Sequence, residues 1–335
     1  MTDYSKLKLR ASSSPHIHSE ESTKTLMLDV IIAMLPALVM GIYTFGFRAL
    51  ATTCVSVIGC LVFEFAYRKL MKKNQTIMDL SAVVTGMLIA LISPVTVPYG
   101  VLLVGDFFAI VVVKQLYGGL GKNFLNPALA ARAFMGGWAA AMTTFVAPMT
   151  RAALAGGVDV ATAATPMSYL KEGNLAGLQE TYGLGDMFLG AIGGSMGEVC
   201  SAALLVGGIY LIGRKVINWH IPVAYIGTVA LLTFLFPGAN DPLQFMLYHI
   251  LGGGLFLGAF FMATDYVTSP VSKRGQLIFG VGCGLLTVFI RYFGAYPEGV
   301  CYSILVMNLL VWLIDRSMKP RRFGVVKAKK EAAGK

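Results

Sequence analysis

Residues 26–46 read LMLDVIIAMLPALVMGIYTFG, twenty-one positions with a single charge, Asp29. About 20 mainly apolar residues suffice to cross roughly 30 Å of hydrocarbon, so this run predicts a transmembrane helix. Working outward, comparable runs lie near 49–67, 77–97, 100–117 and 126–148, and again near 187–213, 219–236, 244–266, 276–293 and 298–315. The pattern predicts an all-α polytopic membrane protein of about ten transmembrane helices. It divides into an N-terminal segment 1–25, a first five-helix unit 26–148, a loop 149–185, a second five-helix unit 187–315 and a basic tail 316–335.

Composition supports lipid as the solvent. Only 13% of the 335 residues are charged and 56% are hydrophobic, with a mean hydropathy of +0.70. An ordinary soluble domain carries roughly 25% charged residues. The 38 glycines suit close helix packing in a bilayer. The net charge of +10 sits in short clusters between apolar runs and in the tail; that is a topology signal, and it excludes nucleic acid as a partner. Membrane lipid is the partner it predicts. The five cysteines lie inside apolar runs with no CxxC pair, so neither a disulfide framework nor a cluster site is expected. No signal-peptide h-region follows the basic residues of the N-terminus.

Lysine and arginine set the orientation. With the N-terminus cytoplasmic, 21 of the 27 fall inside, four outside (Arg48, Arg151, Lys171 and Arg291) and two, Lys114 and Arg132, within spans. This bias predicts both termini in the cytoplasm and the 149–185 loop outside. The halves also resemble each other. At an offset of 175 residues Gly100, Gly105, Tyr117 and Gly119 fall on Gly275, Gly280, Tyr292 and Gly294. Five spans per half turn that resemblance into an inverted repeat. Ser93-Pro94 and Ser269-Pro270 break or end one span in each half; such paired breaks mark a central site as readily as they simply stop a helix.

The outer loop contains Asp159-Val160-Ala161-Thr162-Ala163-Ala164-Thr165-Pro166. This segment resembles the flavin-attachment motif of the RnfD/NqrB family, Asp-x-x-(Ser/Thr)-(Gly/Ser)-Ala-Thr, with Ala163 the one departure. The resemblance extends to Ser14-Pro15-His16 and to Gly121-Lys122-Asn123-Phe124-Leu125-Asn126-Pro127-Ala128, and the short N-terminal segment is most like the RnfD branch, the D subunits of Rnf complexes. It implies FMN joined covalently to Thr165 through a phosphoester, with Thr162 and Asp159 as recognition residues. A hydroxyl is a poor nucleophile until activated, which fits delivery by a separate flavin transferase. It also implies a non-covalent riboflavin, for which Asn123, Asn126 and Lys122 are the candidates, and a urea-transporter-like fold of two inverted five-helix repeats. The partners it implies are the A, B, C, E and G components of an Rnf complex in a prokaryotic cell membrane. The complex would carry electrons between ferredoxin and NAD and move Na+ or H+. The competing readings are a small-solute channel of the same fold and a passive scaffold.

Ionisable residues inside spans are costly and usually functional. Asp106, Arg132 and Glu198 lie deepest; Asp106 and Glu198 are the candidates for an ion path, while Arg132 and Lys114 are expected to pair with acidic neighbours or carbonyls. Glu64, Lys114, Asp265 and Arg291 lie nearer the ends, where snorkelling to the interface is expected. The run Tyr117 to Asn123 imitates a phosphate loop but has Asn123 where Ser or Thr is needed and Leu116 where Gly is needed. His16 and His18 lack the further ligands of a metal site; His220 and His249 are read as interfacial or core residues.

Overall fold

The structure is a computed structural model and describes residues 22–148, 163–238 and 240–318; Asp159, Thr162 and the N-terminal histidines lie outside the described residues. Its elements are α1 (Thr23–Phe45), α2 (Phe47–Leu70), α3 (Ser81–Leu91), α4 (Tyr99–Phe107), α5 (Pro127–Met135) and α6 (Ala139–Met142). Next come α7 (Pro166–Lys171), α8 (Leu175–Thr181), α9 (Leu184–Leu189), α10 (Ser201–Gly213) and α11 (His220–Leu235). The last are α12 (Pro242–Leu251), α13 (Leu255–Leu257), α14 (Lys273–Phe293) and α15 (Val300–Ser317). Wide π turns extend α4 through Phe108–Gln115 and α13 through Gly258–Met262. Among the described residues the regular structure is helical, apart from one bridging residue, Val146.

Local chemistry sets the boundaries. Ser22 and Thr25 form a capping box at the start of α1. Gly46, at φ 79°, ends α1 and begins α2, a one-residue reversal that a side chain would strain. Asn126-Pro127, Asp241-Pro242 and Ser272 start α5, α12 and α14 with the residue types that suit those positions.

The expected ten uniform spans are met only in part. Helices α1, α2, α14 and α15 are each long and apolar enough to cross a membrane, and α12 with α13 passes only as a pair bent by 57°. The bend falls at Gly252–Gly254, where Gly253 and Gly254 take φ values of 66° and 65°. The 11 residues of α3 rise only about 16 Å, and residues 92–98 complete that segment outside a regular helix.

Packing is close where glycines meet backbone. A Cβ on Gly86 of α3 would stand 2.7 Å from Val57 Cα of α2, and one on Gly207 of α10 only 2.1 Å from Ala33 O of α1. Large apolar side chains such as Val39, Ile58, Phe289 and Trp312 remain exposed on the outside. A lipid-facing surface has that character; the structure is a multi-pass membrane fold.

Contacts sort the element ends into two layers. Arg214 pairs with Asp29 at 3.3 Å, Thr76 donates to Glu64 at 2.7 Å and Val271 N donates to Asp315 at 3.2 Å in the first layer. In the second, Arg48 donates to Thr96 O, Thr44 to Gly190 O, Lys171 to Gly294 O and Tyr292 to Phe236 O. The snorkelling expectation for Glu64, Lys114 and Arg291 is overturned. Lys114 Nζ meets Glu64 at 2.8 Å with both side chains buried, and Arg291 is buried among backbone carbonyls. A partner inside the bundle satisfies each charge, so none has to reach water.

Candidate functional site

Thr165 immediately precedes α7, with extended backbone angles, and its Oγ1 accepts from Ser168 N at 3.3 Å. The chain leading into it is laid beside residues 145–146: Ala163 N donates to Phe145 O at 2.9 Å. From the other side Tyr182 Oη donates to Ala164 O at 3.2 Å. Burial pushes the Tyr182 phenol above its ordinary range, so that donor keeps its hydrogen at neutral pH. Gly193 permits the crossing, because a Cβ there would lie 3.0 Å from Ala163 Cβ and 3.3 Å from Val146 O.

The hydroxyl-bearing residue forms part of the wall of two neighbouring cavities. The larger holds about 670 Å³ of space, part of it open to solvent, and is lined by Arg132, Phe145, Tyr296, Glu298 and Tyr302 as well as Thr165. Arg132 Nη2 lies 3.5 Å from Glu298 Oε2, and the Tyr296 and Tyr302 rings lie 5.1 Å apart. The smaller cavity joins Thr165 to Ile192, Gly193, Glu198, Gly253 and Glu298. A Cβ on Gly254 would stand 2.6 Å from Glu198 Oε1, so the glycine break gives the Glu198 carboxyl its seat.

Arg291 holds this floor together. Its guanidinium donates to His249 O at 2.6 Å, Gly252 O at 3.1 Å, Gly253 O at 3.4 Å and, through Nε, Glu298 O at 3.0 Å. The bend between α12 and α13 strands carbonyls that no helical N–H reaches, and a buried carbonyl without a donor is costly. One arginine supplies the donors.

A separate cavity, with about 730 Å³ of space that is partly open to solvent, lies among the first-layer ends and is lined by Lys114, Asn123, Asn126, Phe260, Thr264 and Asp265 among others. Asn126 caps α5 through Oδ1, 3.0 Å from Ala128 N, while its Nδ2 donates to Met262 O at 3.2 Å. Asn123 Nδ2 donates to Leu125 O at 3.0 Å. Lys122 is exposed, its stem lying over Gly118, and it is not one of the lining residues.

The structure therefore brings Thr165 and Glu198 together, places Asn123 and Asn126 on a separate cavity, and leaves Asp106 buried between α2, α3 and α4. Arg132 and Lys114 have the acidic partners expected of them. Glu298, Tyr296, Tyr302, Tyr182 and Gly193 were not legible as site residues. The run Gly252-Gly253-Gly254 between two apolar halves was the available signal for the break. All five cysteines are free, and among the described residues no group of three or more His, Cys, Asp or Glu could hold a metal ion.

These residues suit a flavin. The hydroxyl borders a partly open cavity that carries aromatic faces and one guanidinium. Comparison with known proteins identifies the family. Residues 10–324 match the family described as NQR2, RnfD, RnfE. The chain is 47% identical over 330 residues to the D subunit of the Na(+)-translocating ferredoxin:NAD(+) oxidoreductase complex of Acetobacterium woodii, covering 97% of this chain and 98% of that one. It is 44% identical over 324 residues to the D subunit of the proton-translocating ferredoxin:NAD(+) oxidoreductase complex of Clostridium ljungdahlii, covering 93% and 95%. It is 37% identical over 345 residues to the D subunit of an ion-translocating oxidoreductase complex of Shewanella amazonensis, covering 95% and 99%.

Proposed function

The chain belongs to the NQR2, RnfD, RnfE family, and from that premise we propose that it is the D subunit of a ferredoxin:NAD oxidoreductase complex of the Rnf type. In this reading it relays electrons through FMN esterified to Thr165, and the complex moves Na+ or H+ across the membrane. The observation that carries the proposal is the placement of Thr165. The last residue of the attachment motif borders a pocket furnished with Arg132, Tyr296 and Tyr302.

The flavin, when bound, would supply one-electron chemistry. The protein's part is position and charge. Thr165 Oγ1 is the atom to be esterified, and as an ester oxygen it keeps a lone pair for Ser168 N. Arg132 supplies positive charge beside the pocket, and Glu298 fixes where that charge stands. Tyr296 and Tyr302 offer flat surfaces to a planar ring. Glu198, on the small cavity behind Thr165, is the carboxyl we place on the cation route. Asn123 and Asn126 present amides suited to a non-covalent riboflavin in the other cavity.

The same reading gives ten crossings in two inverted repeats, with both termini cytoplasmic and the Thr165 layer outside. The packing of α1 on α10 and of α5 on α15, pairs related by the 175-residue offset, supports it. So does the scarcity of Lys and Arg in the Thr165 layer, where Arg48, Arg132, Lys171 and Arg291 stand among the described residues. The partners are the A, B, C, E and G components of the complex, with a flavin transferase needed for maturation.

The test is the chain isolated from its native host. Its intact mass should exceed that of the polypeptide by one esterified FMN, fragmentation should place the addition on Thr165, and the denatured band should fluoresce under ultraviolet light. A chain of unmodified mass would defeat the proposal and leave the solute channel standing.

A further inference from the structure

Asp106 lines none of these cavities, yet like Glu64 it is a carboxyl of the first helical unit with no exposed surface at all. It projects from α4 toward α2 and α3, on which small and polar groups make room for it. Ser56 Oγ lies 2.7 Å from Asp106 Oδ1, and Cys60 Sγ lies 3.6 Å from the same oxygen. The other carboxyl oxygen, Oδ2, has no hydrogen-bond partner and lies against Gly59, where a Cβ would come within 3.0 Å of it.

Counting hydrogens decides the state of this group. Ser56 Oγ has a second oxygen within bonding range, the Gly86 carbonyl of α3 at 3.0 Å. A hydroxyl has one hydrogen to give. If Asp106 were a carboxylate, Ser56 could donate to it or to Gly86 O, and the remaining oxygen pair would face each other with no hydrogen between. A carboxylic acid removes the conflict: Asp106 donates to Ser56 Oγ, and Ser56 donates to Gly86 O. The bare Oδ2 agrees with this, since an unpartnered neutral carbonyl oxygen costs far less in a dry interior than an unpartnered anionic one.

The surroundings offer no compensating cation. Among the described residues Asp106 makes no ion pair. On α2 the groups facing it are Ser56 and Cys60; Glu64, one turn beyond, is neutralised by Lys114. Helix α3 contains no ionisable residue, and the one charged residue of α5, Arg132, is engaged by Glu298. A bound alkali cation would have to make do with at most four oxygens and a soft thiol, a poor set for a hard ion.

We propose that Asp106, with Ser56 and the Gly86 carbonyl, is an occluded proton-binding site of the first helical unit, separate from the flavin-bearing layer. It holds a proton at neutral pH along the chain of hydrogen bonds from Asp106 through Ser56 to Gly86.

Infrared difference spectroscopy of the intact complex in native lipid at pH 7 tests this directly. Wild type minus Asp106→Asn should show the carbonyl stretch of a carboxylic acid. Asparagine reproduces the shape and the donor of the neutral acid, so the variant should assemble and melt within about 3 °C of wild type, the equivalent of roughly 1 kcal/mol. Ser56→Ala removes the acceptor and should move the band to higher wavenumber. A difference spectrum with carboxylate bands in its place would overturn the proposal. So would a carboxylic band that vanishes on adding NaCl, which would identify a cation site. The readout does not depend on flavin, so it stands or falls separately from the assignment of Thr165.

Discussion

The cavity beside Thr165 and the cavity beside Asn126 lie in opposite layers of one bundle but are built in different ways. The first sets residues of α5, α6 and α15, among them Arg132, Met142 and Tyr302, against Phe145, Thr165 and Tyr296 from the loops, and backbone contacts such as Ala163 N to Phe145 O hold the loop side. The second is enclosed by helix ends, with Asn126 tying the start of α5 to the end of the α13 π turn. Asn308 adds to it: with its amide nitrogen toward Thr268 O at 3.0 Å, its oxygen accepts from Asn126 N at 3.2 Å. A wall of loop residues opens locally at lower cost than one of packed helices, which suits the proposed tether at Thr165, while a pocket closed by helix ends suits the proposed non-covalent ligand.

The sharpest way to break that comparison is at the tether. Thr165→Val should abolish ultraviolet fluorescence of the denatured chain completely, while Thr165→Ser, which keeps both hydroxyl and cap, retains it. The valine chain loses only a helix cap, worth about 1 kcal/mol, so it should still reach the membrane. Fluorescence surviving in the valine variant would move the tether elsewhere. The second cavity should not notice either change.

Next in size is the floor of the outer site. Arg291→Met keeps much of the side-chain volume but removes the donors to His249 O, Gly252 O, Gly253 O and Glu298 O. Leaving a buried carbonyl without its donor costs about 1–3 kcal/mol, and these carbonyls lose theirs together, which thermal unfolding in detergent would register. Arg291→Lys, a point charge in place of a planar fork, should recover part of it. An unchanged melting temperature for the methionine variant would mean that the break at Gly252–Gly254 stands without its arginine.

How far the sequence foretold this contrast depends on which contacts are local. Apolar runs report on solvent, so the membrane class was legible from 26–46 alone, and the segment that resembles an attachment motif is contiguous, so Thr165 could be singled out as a candidate. Partners distant in sequence were not. Nothing around Arg132 names Glu298, 166 positions away. Lys114 looked like an interfacial residue because position along a span says nothing about rotation. The π turn at Phe108–Gln115 widens the helix there, and the Lys114 ammonium lies against Glu64 and Ser81. The bend in α12–α13 was visible as three consecutive glycines, but a glycine run reads equally as a close-packing surface until the backbone angles are known.

On the other side of the comparison, Asn126→Ala removes an N-cap and the link to Met262 O together. A cap and a buried hydrogen bond of this kind contribute about 1–2 kcal/mol. The variant should lose any non-covalently bound flavin on extraction while its covalent fluorescence is unchanged. If both flavins fall together, the two cavities are not independent and the contrast between them fails.

The smallest effect is expected where the outer pocket is most visibly charged. Arg132 and Glu298 form an ion pair, but their side chains are 14% and 23% exposed and the separation is 3.5 Å. Pairs that water reaches are worth about 0.2–1 kcal/mol, far below the Arg291 network. A double-mutant cycle with Arg132→Gln and Glu298→Gln should return a coupling energy in that range, and raising the salt should reduce it, since screening acts on exposed charge. A coupling as large as that of Arg291, insensitive to salt, would mean the pair is sealed from water. The outer pocket would then be as closed as the inner one, and retention by tether would no longer distinguish them.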